Sequence, residues 1–141
     1  MKKKTLIFSL LATLGLVCVG GWYFISQNQT QAVKAEARKT FIQSSRPTIF
    51  FHGWGSSSRA ERHMANAAKD AGVTKTIIDA KVDKDGQVTL DGSIPKGAIN
   101  PIVLVNFDNN RGASTQDQGD YAYAVVKALQ DNYGITEMNM V

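Results

Sequence analysis

The residues with most chemistry to offer lie together at Phe50-Phe51-His52-Gly53-Trp54-Gly55-Ser56, where a short apolar run ends in His-Gly-x-Gly. Glycines let a backbone turn sharply and come close to a bound group. A strand ending in such a turn, followed by a capped helix, can aim backbone N–H groups at a carbonyl oxygen on which negative charge builds. The same spacing equally suits a plain strand-to-helix turn that carries a packed tryptophan. Ser56, Ser57 and Ser58 follow closely, and a serine beside a histidine is the raw material of a nucleophile. These serines fall where a helix needs its cap and no G-x-S-x-G surrounds them, so they are assigned to the cap. His63 falls within the following helix beside Met64, at a surface position.

Two further clusters carry charge. Asp83-Lys84-Asp85-Gly86 has the look of a calcium loop, but an EF-hand needs another carboxylate or amide before the glycine and a closing glutamate. Ile94 stands at the closing position, and a tight hairpin turn is the better reading. No metal site is expected. Asp108, Asn109, Asn110 and Arg111 follow a long apolar run. In open α/β sheets the carboxyl ends of strands carry the ligand crevice, which makes Asp108, Asn109 and Asn110 candidates for substrate contact. Their plainer reading is a polar loop leading to a helix capped by Ser114 or Thr115.

The elements that must hold these residues alternate along the chain. Thr48 to Phe51 is a short strand. A helix runs from about Ser58 to Ala71, with Ser58 and Glu61 at capping-box spacing. Ala60, Met64, Ala67, Ala68 and Ala71 form its small-residue face, and Gly72 ends it. Thr76 to Val82 and Val88 to Leu90 make a hairpin about the Asp85-Gly86 turn. Ile102 to Phe107 is apolar without interruption, as suits a parallel strand buried on both faces. A second helix covers Thr115 to Tyr133, with Tyr121, Val125, Ala128 and Leu129 on one face and Gly134 at its end. Glu137 to Val141 opens another strand. This alternation is that of an α/β fold with a mainly parallel sheet.

The N-terminal charge and hydropathy pattern leads to the expectation that the folded part lies outside the cytoplasm. Of its 16 Lys and Arg residues, three are Lys2, Lys3 and Lys4, whereas Arg46 to Val141 holds 10 basic against 11 acidic residues. No basic stripe interleaved with aromatics runs through it, so nucleic acid is not an expected partner. Thr5 to Ile25 is uncharged, and roughly 20 apolar residues span a bilayer core as a helix. The positive-inside bias would leave the rest of the chain outside. A cleaved signal peptide and a lipoprotein at Cys18 are the alternatives. Cys18 is the only cysteine, so neither a disulfide nor a cysteine metal cluster can form within the chain. The organisation expected is a basic N-terminus and transmembrane signal-anchor at 1–25, a stalk at 26–45, and a folded part at 46–141.

The His52-Gly53-Trp54-Gly55 loop, the order of elements around it, the Asp-Lys-Asp-Gly hairpin and the run Asn106 to Asn110 together resemble the α/β-hydrolase superfamily. Within it, they are similar to membrane-anchored cell-surface hydrolases of lactobacilli and related Gram-positive bacteria, over most of the chain. The resemblance implies a serine esterase or lipase-like activity on small ester or lipid-like substrates, with no cofactor, at the outer face of the cell membrane. It makes the Trp54 amide an oxyanion donor, lets Gly53 and Gly55 shape the loop, and gives His52 the task of holding it. In that family the next strand leads into a G-x-S-x-G nucleophile elbow, with the catalytic Asp and His later still. Glu137 to Val141 corresponds to that strand. The chain is therefore expected to be the N-terminal half of such a domain, inactive by itself. The alternative is a non-catalytic, membrane-anchored surface interaction module.

Overall fold

The computed structural model describes residues 20–32, 35–36 and 40–141. Residues 20–32 are helical. Most of the expected membrane span lies outside the described residues. Among those described, no helix is long and apolar enough to cross a membrane.

The folded part is built from β1 (Thr48–Phe51), α1 (Arg59–Asp70), β2 (Ile77–Val82), β3 (Val88–Asp91), β4 (Ile102–Phe107), α2 (Thr115–Tyr133) and β5 (Asn139–Met140). The strands form one sheet in the order β3-β2-β4-β1-β5. β2 and β3 are antiparallel, and every other pairing is parallel. Along β1 and β4 the register runs from Thr48 opposite Ile102 to Phe51 opposite Val105.

Because successive strand residues point to opposite faces, the sheet divides its apolar side chains between two cores. Ile49, Ile78, Ala80, Val82, Val103 and Val105 face α2, which answers with Tyr121, Val125 and Leu129. Ile102 and Leu104 face α1, with Ala65 buried between them and Phe50, Ile77 and Ala68 at its margin. β4 supplies both cores, which explains its unbroken apolar run. The result is three layers, with one helix on each face.

The two helices are capped differently. Ser114 accepts a hydrogen bond from the Asp117 amide, and Asp117 accepts from the Ser114 amide, a complete capping box. At α1 the expected Ser58–Glu61 box does not form: Ser58 is itself in helical conformation and its side chain caps nothing. Its amide instead donates to Asn106 Oδ1 at 3.3 Å, so β4 takes over the capping task. The buried stripe of α1 is also shifted from the expected one. Ala65 is buried and Ala68 half-buried, whereas Ala60, Met64 and Ala67 are exposed. Small residues cover both sides of this helix, and the loop that launches it decides which side meets the sheet. The helix closes with Gly72 N–H on Lys69 O and Val73 N–H on Ala68 O, the paired bonds of a Schellman end.

At the hairpin, Asp83 Oδ1 accepts from the amides of Asp85 and Gln87 at 2.9 and 2.8 Å. The carboxylate that suggested a cation is committed to its own turn. Tyr121 of α2 rests on Gly86 and donates its hydroxyl to Lys84 O at 2.9 Å, which fixes the hairpin tip to the helix. Beyond Glu137, regular pairing is confined to Asn139 and Met140 against Thr48 and Ile49, extended by Phe51 N–H on Val141 O at 2.9 Å.

Candidate functional site

β1 leaves the sheet through α1 towards β2, and β4 leaves through α2 towards β5. Adjacent strands whose connections depart in opposite directions leave a crevice between their carboxyl ends. The two loops at that crevice are His52 to Ser58 and Asp108 to Ser114. The sequence nominated residues from both, and the fold brings them together.

His52 is the joint between the loops. It is buried, its Nε2 accepts the Phe107 amide at 3.0 Å, and its Nδ1 lies 3.0 Å from Gly53 O. An Nε2 that accepts leaves the proton on Nδ1, which then donates to the Gly53 carbonyl. Both ring nitrogens are occupied, so neither is left to activate Ser56, Ser57 or Ser58. Phe107 packs edge-on to this ring at 5.5 Å, stacks with Phe51 at 6.0 Å and meets Tyr121 at 6.1 Å. These aromatics form a stiff floor beneath the loop.

On that floor the chain makes a tight turn, closed by Ser56 N–H on Gly53 O at 3.1 Å. Gly55 has φ of 72°, at the third position of the turn, where a type II geometry calls for glycine. A Cβ on Gly55 would also stand 3.2 Å from Arg111 Nε, whereas one on Gly53 would meet open space. The Trp54 ring is 74% exposed. Among the described residues no acceptor takes the Trp54 or Gly55 amide.

The second loop braces the first. Asn110 Nδ2 donates to Ser56 O. Asp108 receives Lys81 Nζ at 3.1 Å and Asn106 Nδ2 at 3.3 Å. Asn109 folds over its own turn, its Oδ1 lying 2.6 Å from where a Cβ on Gly112 would be. All three nominated residues thus stand at the crevice, with the polar groups of Asp108 and Asn110 directed at protein partners. The sequence placed Arg111 in this loop without nominating it for contact, and its guanidinium carbon lies 5.5 Å from the centre of the Trp54 ring. Only its position in the loop could have singled it out. His63 is exposed on α1, away from these contacts. Two cavities, of about 470 and 510 Å³, open at the amino ends of the strands, around Thr74 to Thr76 and around Tyr133 to Glu137. They lie across the sheet from the crevice.

Residues 35–141 match an α/β-hydrolase family of unknown function, DUF915. The chain belongs to this family. Its fold is also that of the product of the Listeria innocua gene lin2722, at TM-score 0.62 and 23% identity, over 69% of this chain and 38% of that one. A Lactobacillus plantarum WCFS1 protein named as a cell surface hydrolase matches at TM-score 0.52 and 24% identity, over 62% of this chain and 36% of its own. At these identities the likeness speaks for the fold. The chain spans less than two-fifths of the length of either structure. No curated protein matches it.

Proposed function

We propose that this α/β-hydrolase chain carries the oxyanion-binding part of a serine esterase or lipase-like site, held at the outer face of a cell membrane by its N-terminal segment. The observation that carries the reading is the turn at Gly53 to Ser56, seated on the carboxyl end of β1 with the Trp54 amide uncommitted. Such a donor, already oriented, stabilises the charge that develops on a carbonyl oxygen during acyl transfer. Gly53 and Gly55 shape the turn, and His52 fixes it to β4. Asp108, Asn109 and Asn110 border the substrate cleft and keep its wall in place.

The nucleophile would come from the segment after β5 in a longer polypeptide. Val141 O accepts from Phe51 N–H, so a chain continuing past Val141 emerges beside His52 to Gly55, where an elbow serine would face the Trp54 amide. That serine, made reactive by a histidine base, would attack an ester carbonyl. The test is labelling with a serine-directed fluorophosphonate. The 141-residue chain is expected to remain unlabelled. The polypeptide extended through a G-x-S-x-G elbow and its triad partners is expected to label at that serine. In the extended form, Gly55→Val should reduce ester turnover on the order of 10²-fold, the usual effect of losing one oxyanion donor. Labelling of the short chain at Ser56, Ser57 or Ser58 would overturn the assignment. For the anchor, protease added to intact protoplasts should remove the part beyond residue 45, and full protection would overturn the topology.

A further inference from the structure

Arg111 is the charged group at the crevice that its surroundings leave unused. Asp108, the acidic residue nearest to it in its own loop, is held by Lys81 and Asn106. Asp117 at the start of α2 is occupied by Ser114, and Asp83 by its own turn. Among the described residues no carboxylate pairs with Arg111. The guanidinium is nonetheless held in place, lying over the Trp54 ring and against Gly55. A planar cation stacked on an aromatic face keeps its edge donors free, and those donors match a carboxylate or phosphate two at a time.

The geometry points to Arg111 as an anion-reading residue of the site: we propose that the cleft takes substrates bearing a carboxylate or phosphate-type group beside the bond to be cleaved. The proposal rests on the hydrolase reading for its reaction, but not for its binding step. The oxyanion amides and Arg111 belong to facing loops that touch at Gly55, so one molecule can engage both. A cation at this place would favour anionic esters over neutral ones of the same shape. It would do so in the bound ground state as well as during reaction.

Binding can be read on the 141-residue chain without turnover. In a Trp22→Phe background, Trp54 is the remaining tryptophan, and its emission reports an anion drawn to the guanidinium above it. Phenylphosphonate and benzoate are expected to shift that emission saturably, and benzyl alcohol is not. Arg111→Ala should weaken the response at least tenfold. Arg111→Lys should retain part of it, because the charge remains and the planar fork is lost. Chemical shifts of the Phe107 and Ser58 amides should be unchanged in both variants, which separates loss of the anion contact from loss of the loop. An unaltered titration in Arg111→Ala would overturn the proposal, as would equal binding of benzyl alcohol. Failure of the extended polypeptide to hydrolyse esters, with the anion response intact, would count against the hydrolase reading and leave the anion site standing.

Discussion

At the scale of single residues, the loop distinguishes its two glycines although the sequence presents them as a pair. Gly55 has a left-handed backbone and Arg111 against it, whereas Gly53 has neither constraint. A side chain in the left-handed region costs about 1–2 kcal/mol. Gly55→Ala should therefore lower the unfolding free energy by at least that amount, measured as a fall in the denaturant midpoint at constant slope. Gly53→Ala should leave the midpoint nearly unmoved, since its space is open and its backbone ordinary. Equal losses at both positions would show that the turn is not set as described. That His52 holds the loop was implied by the family resemblance and not by the residue pattern alone. Its partner, the amide of Phe107, was not legible, since a contact across 55 positions depends on strand order.

At the scale of elements, what the sequence disclosed depended on how local the determinants were. α2 was readable to its last residue, because the Ser114–Asp117 box and the left-handed Gly134 are fixed within a few positions of the ends. β4 was equally clear, since burial on both faces leaves an uninterrupted apolar run. α1 was placed correctly along the chain but misread in its cap and its face. Its cap comes from Asn106 on a distant strand, and alanines on several sides leave its orientation to the packing. The two helix starts should respond differently to the same change. Ser114→Ala should cost roughly 1 kcal/mol, as for an N-cap serine, while Ser58→Ala should cost little, because that side chain caps nothing. The hydrogen bonds from the Ser114 hydroxyl, then from its amide, hold the Asp117 carboxyl below the usual carboxylate range. A carboxyl depressed by folding stabilises the native state above its unfolded pKa and ceases to do so as pH falls through its folded value. Thermal scans from about pH 5 down to about pH 2 should show that contribution fading in the parent chain. In Ser114→Ala the acid dependence should be smaller.

At the scale of the whole molecule, the sheet is asymmetric in how its edges are finished. β3 closes one side as the return arm of a hairpin pinned by Tyr121. β5 closes the other with two residues, both exposed. The Asn139 and Val141 amides point inward to Pro47 O and Ile49 O, so the Met140 amide between them points outward. An open edge of this kind invites strand pairing with another chain. The 141-residue protein should self-associate in sedimentation experiments at moderate concentration. Met140→Pro, which removes the outward donor and spares the two inward ones, should lower that association. No change in sedimentation would mean that association runs through another surface. The ion pair of Arg46 with Glu137 joins the starts of β1 and β5, but both side chains are exposed and it should add little to this edge.

The placement of β1 also dictates an order of events. Its partner β4 lies 54 positions downstream at every paired residue, whereas β2 and β3 meet across a short turn. Closing a loop of that length carries an entropic cost of about 3–4 kcal/mol, by the logarithmic dependence on length, before any strand contact offsets it. The β2–β3 hairpin and its docking on β4 should thus precede the insertion of β1, and the turn bearing Trp54 should be the last part of the carboxyl edge to take shape. Pulse-labelled hydrogen exchange during refolding should find the Ala80 and Val82 amides protected before that of Phe107, whose acceptor is the ring of His52. A nascent chain would then hold a finished scaffold for some time before it held a crevice. On the proposed reading, an incompletely folded chain would lack the oxyanion donor, and topology alone would hold back premature chemistry.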